Sequence, residues 1–302
     1  MLLKFLWKTC PRGLAALAAL LIATATQAQD VTAELIQIDL GRTYGLLSPK
    51  PAVLRATSVK PTNAESKTAL LFFVGWPGML WLPERIDSSI YLSRVRQSGF
   101  YALTRIEDLP RQGIRLVLVD CPTDEWGVAQ RSPDPYGCSD SYRASERHAA
   151  DVSQLIQTLR QSHGVEKVYL MGHSYGSISS RWLAIRLGTT IQGSIHSASM
   201  NSPGGGRFTD YASSVPRMDM GKATAPWVFM HHQDDQCPYT RYDAALAMAG
   251  PDKLMSVKGG IPSGDPCGGG HLHSYLGREE PVMQAVARWI LTGEVTRALA
   301  QV

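Results

Sequence analysis

The chain has 302 residues and a formal net charge of only +4. This length suits one α/β domain behind a short N-terminal segment. Three of the cations lie in that segment and no basic tract follows it, which argues against a nucleic-acid-binding protein.

Residues 1–28 have the composition of a secretory signal peptide. A basic start precedes an apolar run at 14–25, and the small residues at 26–28 suit a signal peptidase, with 23–25 as an alternative cleavage site. The run is short for a membrane span, although an uncleaved anchor is the competing interpretation. We therefore expect an exported protein, periplasmic or secreted, with residues 29–302 as a single domain and no stable membrane anchor after cleavage.

The remaining chain alternates between strand and helix patterns. Strands are predicted at 31–40, 49–57, 68–74, 113–119, 165–171, 190–197 and 225–231, with a last one at 253–257. Helices are predicted at 88–97, 143–162, 178–187, 242–249 and 279–291, and a long surface loop at 123–141. The continuous apolar run at 68–74 fits a strand that is buried on both faces of a parallel sheet. This order predicts an α/β fold with an antiparallel start and a mostly parallel sheet.

One motif lies between the fifth strand and the helix that follows it. The residues are Gly172-His173-Ser174-Tyr175-Gly176. This Gly-X-Ser-X-Gly pattern is typical of a nucleophile elbow, a tight turn that holds a serine in a strained conformation at its tip. Side chains at the two glycine positions would collide across such a turn. A strand before the motif and a helix after it make the interpretation more specific.

The motif in this context resembles the α/β-hydrolase superfamily, and the resemblance extends over roughly Val31 to Leu291. It implies an α/β-hydrolase fold with a mostly parallel central sheet flanked by helices. It also implies a Ser-Asp-His triad with Ser174 as the nucleophile and the acid and the histidine following in that order. No cofactor is implied. Because 200–224 contains no long apolar helix, no large cap domain is expected.

The resemblance also indicates the acid and the base. The stretch from His231 to Asp235 is similar to a His-Gly-X-X-Asp pattern, which selects Asp235, whereas counting back from Pro238 selects Asp234. The stretch 273–279 matches His-Gly-aromatic-X-Gly-X-Glu at every defined position except the first glycine, and it selects His273. His271 is the alternative base. His173, inside the elbow, is implied to pack under the turn and is not assigned as the base.

The loop after the strand at 68–74 is expected to supply one oxyanion-hole donor. Related enzymes often have His-Gly-X-X-Gly there; Val74 replaces the histidine, while Gly75 matches. Pro77 has no N–H group to donate, so Trp76 is the expected donor. The backbone N–H of Tyr175 is the expected second donor. An ordinary Pro-Gly turn is the alternative interpretation.

Four cysteines follow the N-terminal segment: Cys121, Cys138, Cys237 and Cys267. An even count in an exported chain favours disulfides. Three pairings are possible, and we prefer Cys121–Cys138 and Cys237–Cys267 because these are nearest in sequence. Four buried thiols are the alternative, and the lack of Cys-X-X-Cys spacing disfavours zinc. We expect the Cys237–Cys267 bridge to join the acid and base loops, and the other bridge to affect stability more than turnover.

These features predict a serine hydrolase that cleaves a small-molecule carboxylic ester through an acyl-enzyme, without metal or cofactor. A serine peptidase or a thioesterase would use the same residues. A metal-dependent hydrolase is a further alternative, because His231, His232, Asp234, Asp235, His271 and His273 include metal-ligand types. A non-catalytic binding protein on the same fold is the last alternative.

Overall fold

The structure is a computed structural model that describes residues 30–98, 100–126, 137–201 and 218–299. The predicted signal peptide lies outside these residues, as do most of the predicted loop at 123–141 and most of the segment at 200–224. In the described part of the chain, no helix is both long enough and apolar enough to cross a membrane.

Nine strands of the described residues form one sheet, in the order β1-β2-β4-β3-β5-β6-β7-β8-β9. The strands are β1 (Val31–Tyr44), β2 (Lys50–Pro61), β3 (Thr68–Phe73), β4 (Ile114–Val119), β5 (Lys167–His173), β6 (Gly193–Ser197), β7 (Trp227–His232), β8 (Leu254–Val257) and β9 (Ala298–Leu299). The pairs β1–β2 and β2–β4 are antiparallel, and every pair from β4 to β9 is parallel. The predicted antiparallel start and mostly parallel sheet are therefore confirmed.

Seven α-helices lie in the described ranges: α1 (Ser88–Arg96), α2 (Tyr101–Thr104), α3 (Asp140–Arg143), α4 (Glu146–Ser162), α5 (Gly176–Leu187), α6 (Tyr242–Ala249) and α7 (Glu279–Thr292). The helix predicted at 143–162 begins later than expected. Ser145 has extended backbone angles, and its side chain accepts a hydrogen bond from the backbone N–H of His148, so it caps α4 and separates it from α3.

The prediction that the strand at 253–257 is the last one is wrong. The chain returns after α7 and adds β9 beside β8, where the backbone N–H of Lys258 donates to the carbonyl of Leu299. A strand of two residues is too short to produce a recognisable apolar period, which explains why the sequence pattern did not indicate it.

Both faces of the sheet are covered. In β3, Leu70 and Phe72 belong to a core cluster that includes side chains of α1, α2 and α7. Their neighbours Leu71 and Phe73 belong to a second cluster, which includes side chains of α4, α5 and α6. Because successive strand residues point to opposite faces, the continuous apolar run in β3 fills both layers. The loops that follow the parallel strands meet at one edge of this three-layer arrangement, and the candidate site lies there.

Candidate active site

Ser174 lies at the turn between β5 and α5, in a left-handed conformation with φ of +53°. A Cβ atom at Gly172 would overlap the carbonyl of Gly176, and one at Gly176 would overlap the carbonyl of Phe73. Only glycine fits at either position without a shift of the backbone. A positive φ at a non-glycine residue is uncommon and costs on the order of 1–3 kcal/mol, so the surrounding contacts must maintain it. The turn therefore has the strained geometry that the motif predicts.

Asp235 follows β7 and has a fully buried side chain. Its Oδ1 accepts a hydrogen bond of 2.9 Å from the backbone N–H of Cys237, and its Oδ2 accepts one of 2.8 Å from the hydroxyl of Thr240. Burial alone would raise the pKa of Asp235, but the interactions with His273, Cys237 and Thr240 together hold this pKa below its usual value. The carboxylate is thus held ionised inside the protein.

Asp234, the alternative acid, is exposed. Its backbone N–H donates to Nδ1 of His232 at 3.0 Å, which fixes the loop but leaves its carboxylate on the surface. The structure brings Asp235 to the base loop and does not bring Asp234 there.

His273 lies in a short 3₁₀ turn, Leu272–Ser274, and its side chain is 1% exposed. Its Nδ1 is 2.9 Å from Oδ2 of Asp235, so the ring donates its Nδ1 proton to the carboxylate. The other ring nitrogen, Nε2, has no hydrogen-bond partner among the residues that the structure describes. A ring held in this way has Nε2 available as a proton acceptor.

His271, the alternative base, is also buried, but no hydrogen bond joins it to either aspartate in the described residues. Its backbone carbonyl accepts from the N–H groups of Ser274 and Leu276. These contacts shape the loop that carries His273, so the two histidines have different structural positions.

His173 lies beneath the elbow, as predicted. Its Nδ1 is 3.0 Å from the hydroxyl of Ser197, and its ring packs against Phe100, Tyr101 and the ring of His273. Burial lowers its pKa well below the usual value, and nearby histidines lower it further, so the ring is neutral.

A cavity of about 660 Å³ opens beside these residues, and Ser174 and His273 both line it. The remaining wall is mostly apolar and includes Val74, Met79, Leu80, Phe100, Leu103 and Met200. A mostly apolar cavity with a few convergent polar groups is typical of a small-molecule site.

The two residues expected to form the oxyanion hole are neighbours in the structure. Trp76 lines the cavity, and its ring centroid is 5.2 Å from that of Tyr175. Tyr175 is the N-cap residue of α5, directly after Ser174. Next to Trp76, a Cβ atom at Gly75 would lie 3.3 Å from the Cβ of Ser174, which shows how closely this loop approaches the serine. A helix N-terminus at this place favours negative charge.

The four cysteines pair as preferred from the sequence. Cys121 lies opposite Cys138 and Cys237 opposite Cys267, with Cα–Cα distances of 5.9 Å and 4.7 Å, both within the range of disulfides. Cys237 and Cys267 also line the cavity. This pair joins the loop of Asp235 to the segment that leads to His273.

Of the histidines and aspartates that suggested a metal site, Asp235 and His273 meet as a hydrogen-bonded pair. Among the described residues, no group of three or more His, Cys, Asp or Glu side chains could hold a metal ion. His231 accepts a hydrogen bond from the backbone N–H of Ser199, and His232 bonds to the carbonyl of Gly259. Each ring is thus held by the backbone of a different loop.

Comparison with known proteins agrees with this architecture. Residues 68–229 match a family model described as alpha/beta hydrolase fold. Two structures of Est1E from Butyrivibrio proteoclasticus, the second with bound ferulic acid, are similar to this chain, each with 16% identity over 80% of it. They have TM-scores of 0.50 and 0.52, with 94% and 95% of their own chains covered. Dienelactone hydrolase from Anabaena variabilis has a TM-score of 0.49 and 18% identity, over 85% of this chain and 97% of its own.

A search of curated protein sequences gave no match. The family model spans more than half of the sequence, from β3 to β7, and includes the elbow serine. The chain therefore belongs to the alpha/beta hydrolase fold family.

Proposed function

We propose that this protein is an exported serine hydrolase that cleaves carboxylic esters, with Ser174, His273 and Asp235 as its catalytic triad. The observation that carries the proposal is the position of His273. Its Nδ1 is hydrogen-bonded to the buried carboxylate of Asp235, and its Nε2 has no hydrogen-bond partner among the described residues. The His273 side chain and Ser174 line the same cavity. A serine needs a base held in this way to become a nucleophile at neutral pH.

The reaction would proceed in two steps. The Oγ of Ser174 attacks the ester carbonyl carbon while its proton moves to Nε2 of His273, and Asp235 remains ionised and stabilises the imidazolium. The carbonyl oxygen gains the negative charge, which the backbone N–H groups of Trp76 and Tyr175 would stabilise. The intermediate then collapses, and the alcohol leaves with the proton from His273. Water deacylates the serine in the same manner, releasing the acid.

The wall of the cavity favours an apolar acyl group or an apolar alcohol. Its described lining is mostly hydrophobic, and burial of such a group from water contributes roughly 25 cal/mol per Å². A peptidase or a thioesterase would use the same triad, and the choice among these substrates depends on the leaving group. Export is proposed from the N-terminal segment, and two disulfides are compatible with an oxidising compartment.

The direct test uses the mature protein with a fluorophosphonate probe and a panel of p-nitrophenyl esters of graded acyl length. Ser174 should be labelled, and turnover should be highest for one range of acyl lengths. Ser174→Ala should fold normally, lose labelling and lose turnover by several orders of magnitude. Near wild-type turnover in Ser174→Ala would overturn the proposal, and loss of turnover on chelation would favour a metal-dependent hydrolase. A wild-type protein that neither reacts with the probe nor cleaves any ester would favour a binding protein.

A further inference from the structure

We propose that Arg143 is a positioning residue for the oxyanion hole and that it fixes the loop of Trp76 against the N-terminus of α5. This inference rests on the proposed function, since it concerns the hole that would serve Ser174. Arg143 lies at the end of α3 and is 3% exposed, which is unusual for an arginine.

The guanidinium group bonds to both elements that carry the proposed donors, the helix α5 and the loop of Trp76. Its Nη1 donates to the hydroxyl of Ser179 in α5 at 2.6 Å, and its Nη2 donates to the carbonyl of Gly78 at 2.8 Å. Its Cζ atom also lies 5.0 Å from the centroid of the Tyr175 ring. One planar group thus contacts the helix, the loop and the residue that follows the nucleophile.

The loop is shaped to receive this arginine. Gly78 has a φ of +78°, and a Cβ atom there would overlap the guanidinium of Arg143. The N–H of Gly78 also donates to the carbonyl of Gly75 at 2.6 Å, which closes a turn around Trp76 and Pro77. Because Arg143 bonds to the other side of the same residue, it fixes the orientation of the peptide groups in this turn.

The segment that leads to Arg143 makes a second link between the same two elements. The backbone N–H of Cys138 donates to the carbonyl of Pro77 at 3.0 Å, and the carbonyl of Cys138 accepts from the hydroxyl of Tyr175 at 3.0 Å. A Cβ atom at Gly137 would lie 2.9 Å from the ring of Trp76. Residues 137–143 therefore contact both the loop of Trp76 and the side chain of Tyr175.

Preorganised donors stabilise a developing oxyanion only if they keep their geometry without further reorganisation. A binding site for the ground-state ester depends much less on these contacts, because the carbonyl oxygen carries little charge before attack. Loss of Arg143 should therefore lower kcat and leave KM nearly unchanged.

The chain offers a matched control. Arg115 is also 3% exposed, and it bonds to Glu34 and to the hydroxyl of Ser58, away from the elbow. Arg143→Met and Arg115→Met are the same chemical change, and each removes one buried guanidinium group. Both should lower thermal stability, but only the first should affect the oxyanion hole.

The experiment measures kcat and KM for a p-nitrophenyl ester, and the affinity for a boronic acid whose tetrahedral adduct imitates the intermediate. Removing one oxyanion donor lowers kcat by about 100-fold to 1000-fold. Because Arg143 positions the donors and is not itself a donor, its loss should lower kcat by about 10-fold to 100-fold. Arg143→Met should show this fall with KM within about twofold and with boronate affinity falling in parallel. Arg143→Lys should recover part of both, and Arg115→Met should leave both as in the wild type.

Two results would overturn the inference: a folded Arg143→Met with wild-type kcat and boronate affinity, or equal losses in Arg143→Met and Arg115→Met. If Arg143→Met does not fold, Ser179→Ala and Arg143→Lys decide the question. Unchanged kcat in both would overturn the inference, and parallel losses of kcat and boronate affinity would support it. Failure of the proposed function is a separate result, since a wild-type protein without ester turnover would show it before any variant is made.

Discussion

The hydroxyl of Thr240 donates a hydrogen bond of 2.8 Å to Oδ2 of Asp235, the same oxygen that accepts from His273. The other oxygen, Oδ1, is bonded to the backbone N–H of Cys237. Both oxygens of this buried carboxylate therefore have fixed partners. The bonds from Thr240 and Cys237, which lie in the same loop as Asp235, orient the plane of the carboxylate. The orientation of the histidine ring depends on that plane.

Replacing Thr240 with valine should lower kcat and leave KM close to its wild-type value. Valine has nearly the same shape but lacks the hydroxyl, so Asp235 would lose one of its hydrogen bonds. A hydrogen bond to a charged group contributes roughly 1.5–3 kcal/mol, which corresponds to about a 10-fold to 100-fold fall in rate if it is lost only in the transition state. Thr240→Ser keeps the hydroxyl and is the control. Equal activity of the valine and serine variants would contradict this role.

Single alanine substitutions should distinguish the proposed triad residues from their neighbours. His273→Ala should lose turnover by several orders of magnitude, because the base is removed, whereas His271→Ala should lose mainly stability. Asp235→Ala should likewise be far worse than Asp234→Ala, whose carboxylate is exposed. The measurements are kcat for ester hydrolysis and the melting temperature of each variant. The reverse order within either pair would show that the assignment is wrong.

The sequence predicts candidate site residues where the chemistry depends on a local pattern. The elbow is a contiguous motif, and the proposed acid and base lie in short stretches that resemble patterns of the α/β-hydrolase superfamily. Thr240 was missed because it is five positions after Asp235 in an irregular loop, where spacing does not predict which side chains meet. Arg143 was missed because its partner Gly78 is 65 positions away in the sequence. Such pairings depend on the tertiary fold, which the apolar pattern determines only in outline.

One expectation about the disulfides changes for the same reason. The sequence separates Cys121–Cys138 from the predicted acid and base loops, which predicts an effect on stability more than on turnover. The backbone of Cys138 contacts both Pro77 and Tyr175, so this bridge ends beside the proposed oxyanion hole. We now expect its loss to lower turnover as well.

The stability of the protein should fall as the pH drops from neutral. Burial, the largest influence, lowers the pKa of His231 from 6.5 to about 4. Between these values the unfolded chain binds a proton at this site and the folded chain does not, so protons favour unfolding. Burial also lowers the pKa of His148, His173 and His196 well below the usual value, which acts in the same direction. The loss begins near pH 6.5 and, for His231, is complete below about pH 4.

The contribution of His231 can be isolated with His231→Gln, whose amide oxygen can still accept from the backbone N–H of Ser199. The lowering of the His231 pKa corresponds to about 3 kcal/mol of unfolding free energy. Between pH 7 and pH 4, the free energy of unfolding should therefore fall less in His231→Gln than in the wild type. Urea denaturation at both pH values measures this, and comparison at pH 8 corrects for effects unrelated to protonation. The same pH dependence in both proteins would contradict the prediction.

Double Cys→Ser variants should distinguish the contributions of the two disulfides. The Cys237–Cys267 bridge closes a separation of 30 residues, and the other closes 17, so each should contribute roughly 3–4 kcal/mol in the chain-entropy account. Peptide mapping without reduction should first find both pairs, since a Cys121–Cys237 link would contradict the arrangement. Thermal melting should then show a lower midpoint for both variants.

Measurements of labelling rate and boronate affinity should show how the loss of each bridge lowers turnover. Cys237 donates its N–H to Asp235, so loss of its bridge should misorient the carboxylate and weaken the pairing with His273. Labelling of Ser174 by the fluorophosphonate should slow as the base becomes less effective. Loss of Cys121–Cys138 should leave the Asp235–His273 pair intact and weaken boronate affinity, because Cys138 bonds to Pro77 in the loop of Trp76, the proposed oxyanion donor. Both assays are run well below either melting midpoint, and unchanged turnover in a folded variant would limit that bridge to a stabilising role.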